Sequence, residues 1–307
     1  MARWRSKVLI GPKVDLDTVG CAFLMGVTRD DRVGVVQSGR ALEPELSDPS
    51  VLCIEVGGSG RVAEACFDHH DVGGPKDSAT LQAWNWIDRV SHGGILGWFK
   101  RNQFQIRDFV KVSLLVEYIN RLDVSGPQAL GQEPRAEDFP YLSDVFAGML
   151  LTERDPIEQL HKGVEILREV IQIGQDPYGT IKGFDDYATA KAENNRQVTK
   201  AVESAKWTTT TTGRKLGYLE TDFFGAPGAL YGQGAEIVIA FSPQFGNPPV
   251  PKFTVAGNGI RVDAVLPALN ALEQGWGGPA TGTIIGSSRS GSHLTLYEVV
   301  EIVEKNL

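Results

Sequence analysis

Residues 51–71 read VLCIEVGGSGRVAEACFDHHD. Two short apolar runs, Val51–Ile54 and Ala65–Phe67, are each followed at once by polar chemistry: Glu55 after the first, and Asp68, His69, His70 and Asp71 after the second. Apolar runs this short, bounded by glycines, fit strands buried on both faces. Outward from this stretch the same alternation continues, with KVLIGPKV (7–14), TVGCAFLMGVT (18–28) and RVGVVQS (32–38) before it and SATLQAWNWIDRV (78–90) after it. Strand-like and helix-like segments in alternation predict a parallel sheet built from βαβ units. An open α/β sheet places its ligands at the carboxyl ends of its strands. That is where Asp15, Asp17, Glu55, Asp68, His69 and His70 fall.

The remainder of the chain gives the organisation. A helical pattern runs from about Asp108 to Asp123, with Phe109, Val112, Leu115 and Ile119 on one face. Asp155 followed by Pro156 reads as an N-cap and a first helical position, opening a helix through HKGVEILREVIQI. The segment from Asp185 to Lys206 is helical but polar, as helices that bridge domains often are. Beyond Trp207 the character changes to strands and hairpin turns in TTTTTGRKLGYLET, AEIVIAFS and KFTVAGNGIRVDAV, with a helix over Val265–Glu273. The fold class expected is α/β: an N-terminal parallel-sheet domain (1–155), connecting helices (156–206) and a smaller C-terminal α/β domain (207–307).

Composition narrows the function. The 307 residues carry 30 Lys and Arg against 38 Asp and Glu, a formal net charge of −8, which argues against sequence-blind binding to long duplex DNA. The stretch KRNQFQIRDFVK (100–111) is locally basic and reads as a solvated helix face or as one side of a groove. Cys21, Cys53 and Cys66 show no paired spacing and read as reduced core thiols. No apolar run approaches the roughly 20 residues of a membrane span, and the N-terminus does not read as a signal peptide. The expectation is a cytoplasmic protein with no membrane partner.

Two carboxylates two residues apart, Asp15 and Asp17, repel each other unless a cation is shared. Neutral imidazole with carboxylate, as in Asp68–His69–His70, is a ligand mixture for manganese, iron or zinc. Together these motifs resemble a family. KVDLDTVGCAFLMG (13–26) is similar to the first motif of the DHH superfamily of phosphoesterases, FDHHD (67–71) to its Asp-His-His motif, and DSATLQAW (77–84) to the helix start that follows. VEYINRLDVSG (116–126) resembles the helix that ends in a metal-binding Asp, and GWGGPATG (275–282) the glycine-rich loop of the family's associated C-terminal domain.

The resemblance implies metal ligands at Asp15, Asp17, Glu55, His69 and Asp123. It implies catalytic roles for His70, donating to a phosphate oxygen, and Asp68, holding an imidazole in its tautomer. Substrate contacts fall to Gly277, Gly278 and Arg289. The cofactor implied is a divalent metal, foremost Mn²⁺, as one or two ions. The reaction implied is phosphodiester hydrolysis in a small nucleotide, a cyclic dinucleotide or a short single-stranded oligonucleotide, with a homodimer among the expected states. Three positions depart from the family pattern: Gly11 stands where some members carry His, Glu55 where members carry Asp, and the C-terminal loop lacks a His. The alternative is a degenerate relative that binds a nucleotide or a protein partner without hydrolysis.

Overall fold

The computed structural model describes residues 5–71, 73–90, 94, 97–98, 108–131, 140–246, 248–278, 281–288 and 290–307. By its contacts the chain divides into two compact units, Met1–Lys191 and Ala192–Leu307. No helix among the described residues is long and apolar enough to cross a membrane.

The first unit is built on four short strands, β1 (Lys7–Ile10), β2 (Val33–Val35), β3 (Val51–Ile54) and β4 (Cys66–Phe67), in the order β2-β1-β3-β4 and all parallel. Their register is level at the carboxyl end, with Ile10 opposite Ile54 and Ile54 opposite Phe67. Residues that follow these strands are thereby delivered to one edge, as the alternation of the sequence predicts. Helices α1 (Leu16–Leu24) and α2 (Glu43–Leu46) lie within the strand succession, and α3 (Ala79–Val90), α4 (Phe109–Ser125), α5 (Leu142–Thr152) and α6 (Pro156–Ile173) follow it.

Every residue of α1 is buried, so it forms the hub of the unit. Two glycines allow its neighbours to approach. A Cβ on Gly20 would stand 2.4 Å from Thr80 Oγ1 and 2.7 Å from Ile119 Cδ1, and a Cβ on Gly163 of α6 would stand 2.7 Å from Val19. Thus α3, α4 and α6 all reach α1 at points where a side chain is missing. The Asp108–Asp123 pattern appears as α4, with Val112, Leu115 and Ile119 buried, Phe109 partly exposed, and Asp123 inside the last turn instead of beyond it.

The helix opened by Asp155 and Pro156 belongs to the first unit, its cap closed by Asp155 Oδ1 accepting from Ile157 N and Glu158 N. The polar helix α7 (Asp185–Glu203) runs across the boundary between the units, with Ala192, Asn194, Val198 and Val202 buried. The second unit is a five-stranded mixed sheet of β5 (Lys206–Thr209), β6 (Lys215–Glu220), β7 (Ile237–Phe245), β8 (Val250–Gly257) and β9 (Ile284–Gly286), in sequence order. Only β6 and β7 are parallel, joined by the crossover helix α8 (Ala226–Gly232). Alternation along β7 feeds two cores. Ile237 and Ile239 join Val265, Leu269, Val299 and Val303 around α9 (Leu266–Leu272) and α10 (Leu296–Asn306), while Val238 joins Val198, Val202 and Leu230. The threonine run continues β5 into a turn, where Gly213 takes φ 86° and Thr210 N donates to Arg214 O.

Candidate metal centre

The site grows from the carboxyl edge of the parallel sheet. Glu55 follows β3 directly and holds a left-handed backbone (φ 53°), a conformation a β-carbon disfavours. Its amide still donates to Phe67 O, so the turn bends away only after the last ladder bond. Gly57 and Gly58 continue with positive φ, and this bend lets the Gly57 amide donate to Asp68 Oδ2. Asp68 also accepts from Ser59 Oγ and from the amide of His70. Its carboxylate is therefore consumed in stitching the loop after β3 to the loop after β4. The imidazoles find their carboxylates elsewhere: His70 Nε2 lies 3.2 Å and His69 Nε2 3.6 Å from Glu55 Oε1, and His69 Nε2 lies 3.1 Å from Asp123 Oδ2.

Asp15 and Asp17 are not residues of one extended strand end, as their spacing suggests. Asp15 is the N-cap of α1, its Oδ1 accepting from the amide and hydroxyl of Thr18. Asp17 lies in the first helical turn and points to the start of α3, where its two oxygens accept from Ala79 N (2.7 Å) and Thr80 N (2.8 Å). Helix N-terminal amides are a natural seat for a carboxylate. Ser78 N donates to Asn120 Oδ1 and Gln82 Nε2 to Asp68 O, so α3 ties α1, α4 and the Asp-His-His loop together. Thr18, Thr80, Gln82 and Asn120 are supporting residues that sequence reasoning does not single out. The Ser-Ala-Thr helix start was the one signal pointing toward them.

Ligand atoms of Asp17, Glu55, His69 and Asp123 all lie within 4.8 Å of one another, and a second such group, Glu55, His69 and His70, shares two of its members. His69 Nε2 and Asp123 Oδ2 are buried and have no hydrogen-bond partner. Native proteins rarely leave buried polar atoms so, and a nitrogen donor and carboxylate oxygens aimed at one point suit a divalent cation. Burial first, then Glu55 and Asp123, pushes the Asp17 carboxyl up to about 7, and burial with Glu55 raises Asp15 well above the carboxylate range. Burial likewise raises Asp123. Burial pushes Glu55 the other way from its partners, but bonds from both imidazoles and Thr18 prevail and hold it low. Glu55 in turn raises His69 and carries His70 up to about 9.

A pH dependence follows. Protons on Asp17 and His69 compete with a cation for the same atoms, so affinity should rise with pH through about 7, where Asp17 titrates. Binding near neutrality should release protons, read by calorimetry in buffers of differing ionisation enthalpy. Affinity unchanged between about pH 6 and 8 would contradict the assignment. Without cation, an acid whose folded pKa is raised contributes stability in its protonated form. That stability should fade as pH rises through about 7 and return with cation.

The other predicted site residues lie in the second unit. Gly277 N donates to Gly286 O and Gly286 N to Gly277 O, so the Gly277 amide is spent on pairing with β9. A Cβ on Gly278 would stand 2.1 Å from Ile284 O, which explains that glycine by close backbone approach. Asn270 Oδ1 accepts from the amides of Gly275 and Trp276, and Trp276 stacks on Phe253 at 5.8 Å. The loop expected to hold phosphate through its amides is strapped to α9 and β9. Arg289 and residues 100–107 of the basic stretch lie outside the described residues. Cys21, Cys53 and Cys66 are buried and free.

No family model matches the chain, and no curated protein does. Among solved structures it is similar to one described as the DHH domain of a member of the s1p family of ribosomal proteins, at 16% identity and a TM-score of 0.40, covering 98% of this chain and 86% of that one. The resemblance to the DHH superfamily rests on the sequence motifs, and that superposition adds nothing to it.

Proposed function

We propose that this chain hydrolyses phosphodiester bonds in a small nucleotide, a cyclic dinucleotide or a short single-stranded oligonucleotide, with a divalent cation held by Asp17, Glu55, His69 and Asp123. The observation that carries the reading is the convergence of four donors, with His69 Nε2 and Asp123 Oδ2 buried 3.1 Å apart beside the carboxylates of Asp17 and Glu55. A divalent ion so bound supplies an activated water and offsets charge on phosphoryl oxygens. Manganese is the first candidate, because imidazole with carboxylate suits it.

The chain's own residues do the rest. His70, with a side chain 61% exposed and Nε2 3.2 Å from Glu55 Oε1, places an imidazole at the rim whose N–H can donate to a phosphate oxygen. Lys13, exposed on the loop between β1 and α1 and close enough to Asp123 to lower its pKa, adds a positive charge. Asp68 fixes the loop that carries both histidines, so its contribution is to their placement.

The competing reading, nucleotide or partner binding without hydrolysis, draws on the three departures at Gly11, Glu55 and the C-terminal loop. A panel of dinucleotides, cyclic dinucleotides and short oligonucleotides with Mn²⁺, against a chelator control, separates the two. Mn²⁺-dependent release of mononucleotide supports the enzyme. Nucleotide binding with no turnover on any substrate leaves the binder, and calorimetry showing no divalent-cation binding removes the metal reading altogether.

A further inference from the structure

From the division of labour among the five acidic and imidazole positions, and resting on the cation-binding reading above, we infer that the chain holds a single divalent ion and that Asp15 stands outside its ligand set. The four donors of Asp17, Glu55, His69 and Asp123 converge, whereas Asp15 is in neither of the convergent groups. Its Oδ1 is engaged by the Thr18 amide at 2.9 Å and the Thr18 hydroxyl at 3.0 Å. The same hydroxyl lies 2.5 Å from Glu55 Oε2, the oxygen that faces away from the imidazoles. Thr18 thus covers the two carboxylate oxygens from which a second site would have to start.

Among the described residues, neither convergent group includes another donor on that side. Gly11, the residue after β1, brings no side chain there, and the next buried side chain is Val14. A second ion beside Asp15 would find two carboxylates already holding one hydroxyl, while the first position offers four donors, one an imidazole, and leaves a six-coordinate Mn²⁺ room for water. Glu55 Oε1, the oxygen nearest both histidines, belongs to the first position.

The test is stoichiometry. Calorimetric titration of the full chain with Mn²⁺, with electron paramagnetic resonance of the loaded protein, should give one ion per chain and a spectrum without exchange coupling. Asp15→Asn keeps a competent N-cap and should leave stoichiometry and affinity within about threefold, whereas Asp123→Asn should weaken binding by about a hundredfold or more. Two ions of comparable affinity, an exchange-coupled spectrum, or a loss of more than about tenfold in Asp15→Asn would overturn the single-ion inference and leave the phosphodiesterase reading standing. No binding by the unaltered chain would sink both. Circular dichroism checks that each variant folds, and if Asp15→Asn does not, the count on the unaltered chain decides.

Discussion

His69→Ala should abolish Mn²⁺-dependent phosphodiester hydrolysis while leaving the first unit folded. His69 Nε2 meets Asp123 and Glu55, both members of the same convergent group, so its removal costs contacts within the site and not the packing around it. What it removes is the imidazole of the convergent group, leaving three mutually repelling carboxylates. If the ion supplies several kcal/mol of transition-state stabilisation, losing about 4 kcal/mol lowers turnover roughly a thousandfold. The check is the rate on a small chromogenic phosphodiester at saturating Mn²⁺, beside a thermal melt. The contrast is Asp17→Ala, which would also orphan the amides of Ala79 and Thr80 and so should lose about 1 to 3 kcal/mol of stability together with activity. Undiminished hydrolysis in His69→Ala would place the chemistry elsewhere.

Gly278→Ala should damage folding of the second unit. The added Cβ would lie 2.1 Å from the carbonyl oxygen of Ile284, a backbone atom that cannot swing aside as a side-chain tip can. Relief requires parting the Gly277–Gly286 pair at the edge strand. Overpacking of this kind removes about 3 kcal/mol, a large part of the roughly 5 to 15 that holds a domain together. Gly277→Ala is the control, since a Cβ there meets nothing within 4 Å. A melt in which Gly277→Ala is silent and Gly278→Ala loses several degrees would show packing behind the glycine-rich run. Equal stability of the two with weakened nucleotide binding in Gly278→Ala would return that glycine to the substrate.

The parallel sheet and its chemical edge were legible because they depend on nearest-neighbour facts. Apolar runs of strand length, followed at once by Glu55 and by Asp68–His70, need only a level register to meet, and Ile10, Ile54 and Phe67 provide it. The separation of Asp15 from Asp17 was not legible. A spacing of two puts side chains on one side only in extended backbone, and here the helix begins between them. The partner that fixes Asp17 is the start of α3, 62 residues away. Asp68 likewise reads as an acid beside two histidines, yet the glycines after Glu55 bring the Gly57 amide and the Ser59 hydroxyl to it first. Neither α5 nor α8 was drawn from the sequence. At Gly278 the sequence holds no sign of which carbonyl lies behind it, so a ligand-binding glycine and a tightly packed one look alike.

The left-handed backbone at Glu55 sets local stability against local chemistry. A non-glycine residue in that conformation costs on the order of 1 kcal/mol, which glycine at the same position would recover. The same carboxylate holds two imidazoles, one hydroxyl and its acidic neighbours in balance. Glu55→Gly should therefore relax the turn while releasing both imidazoles and the Thr18 hydroxyl at once.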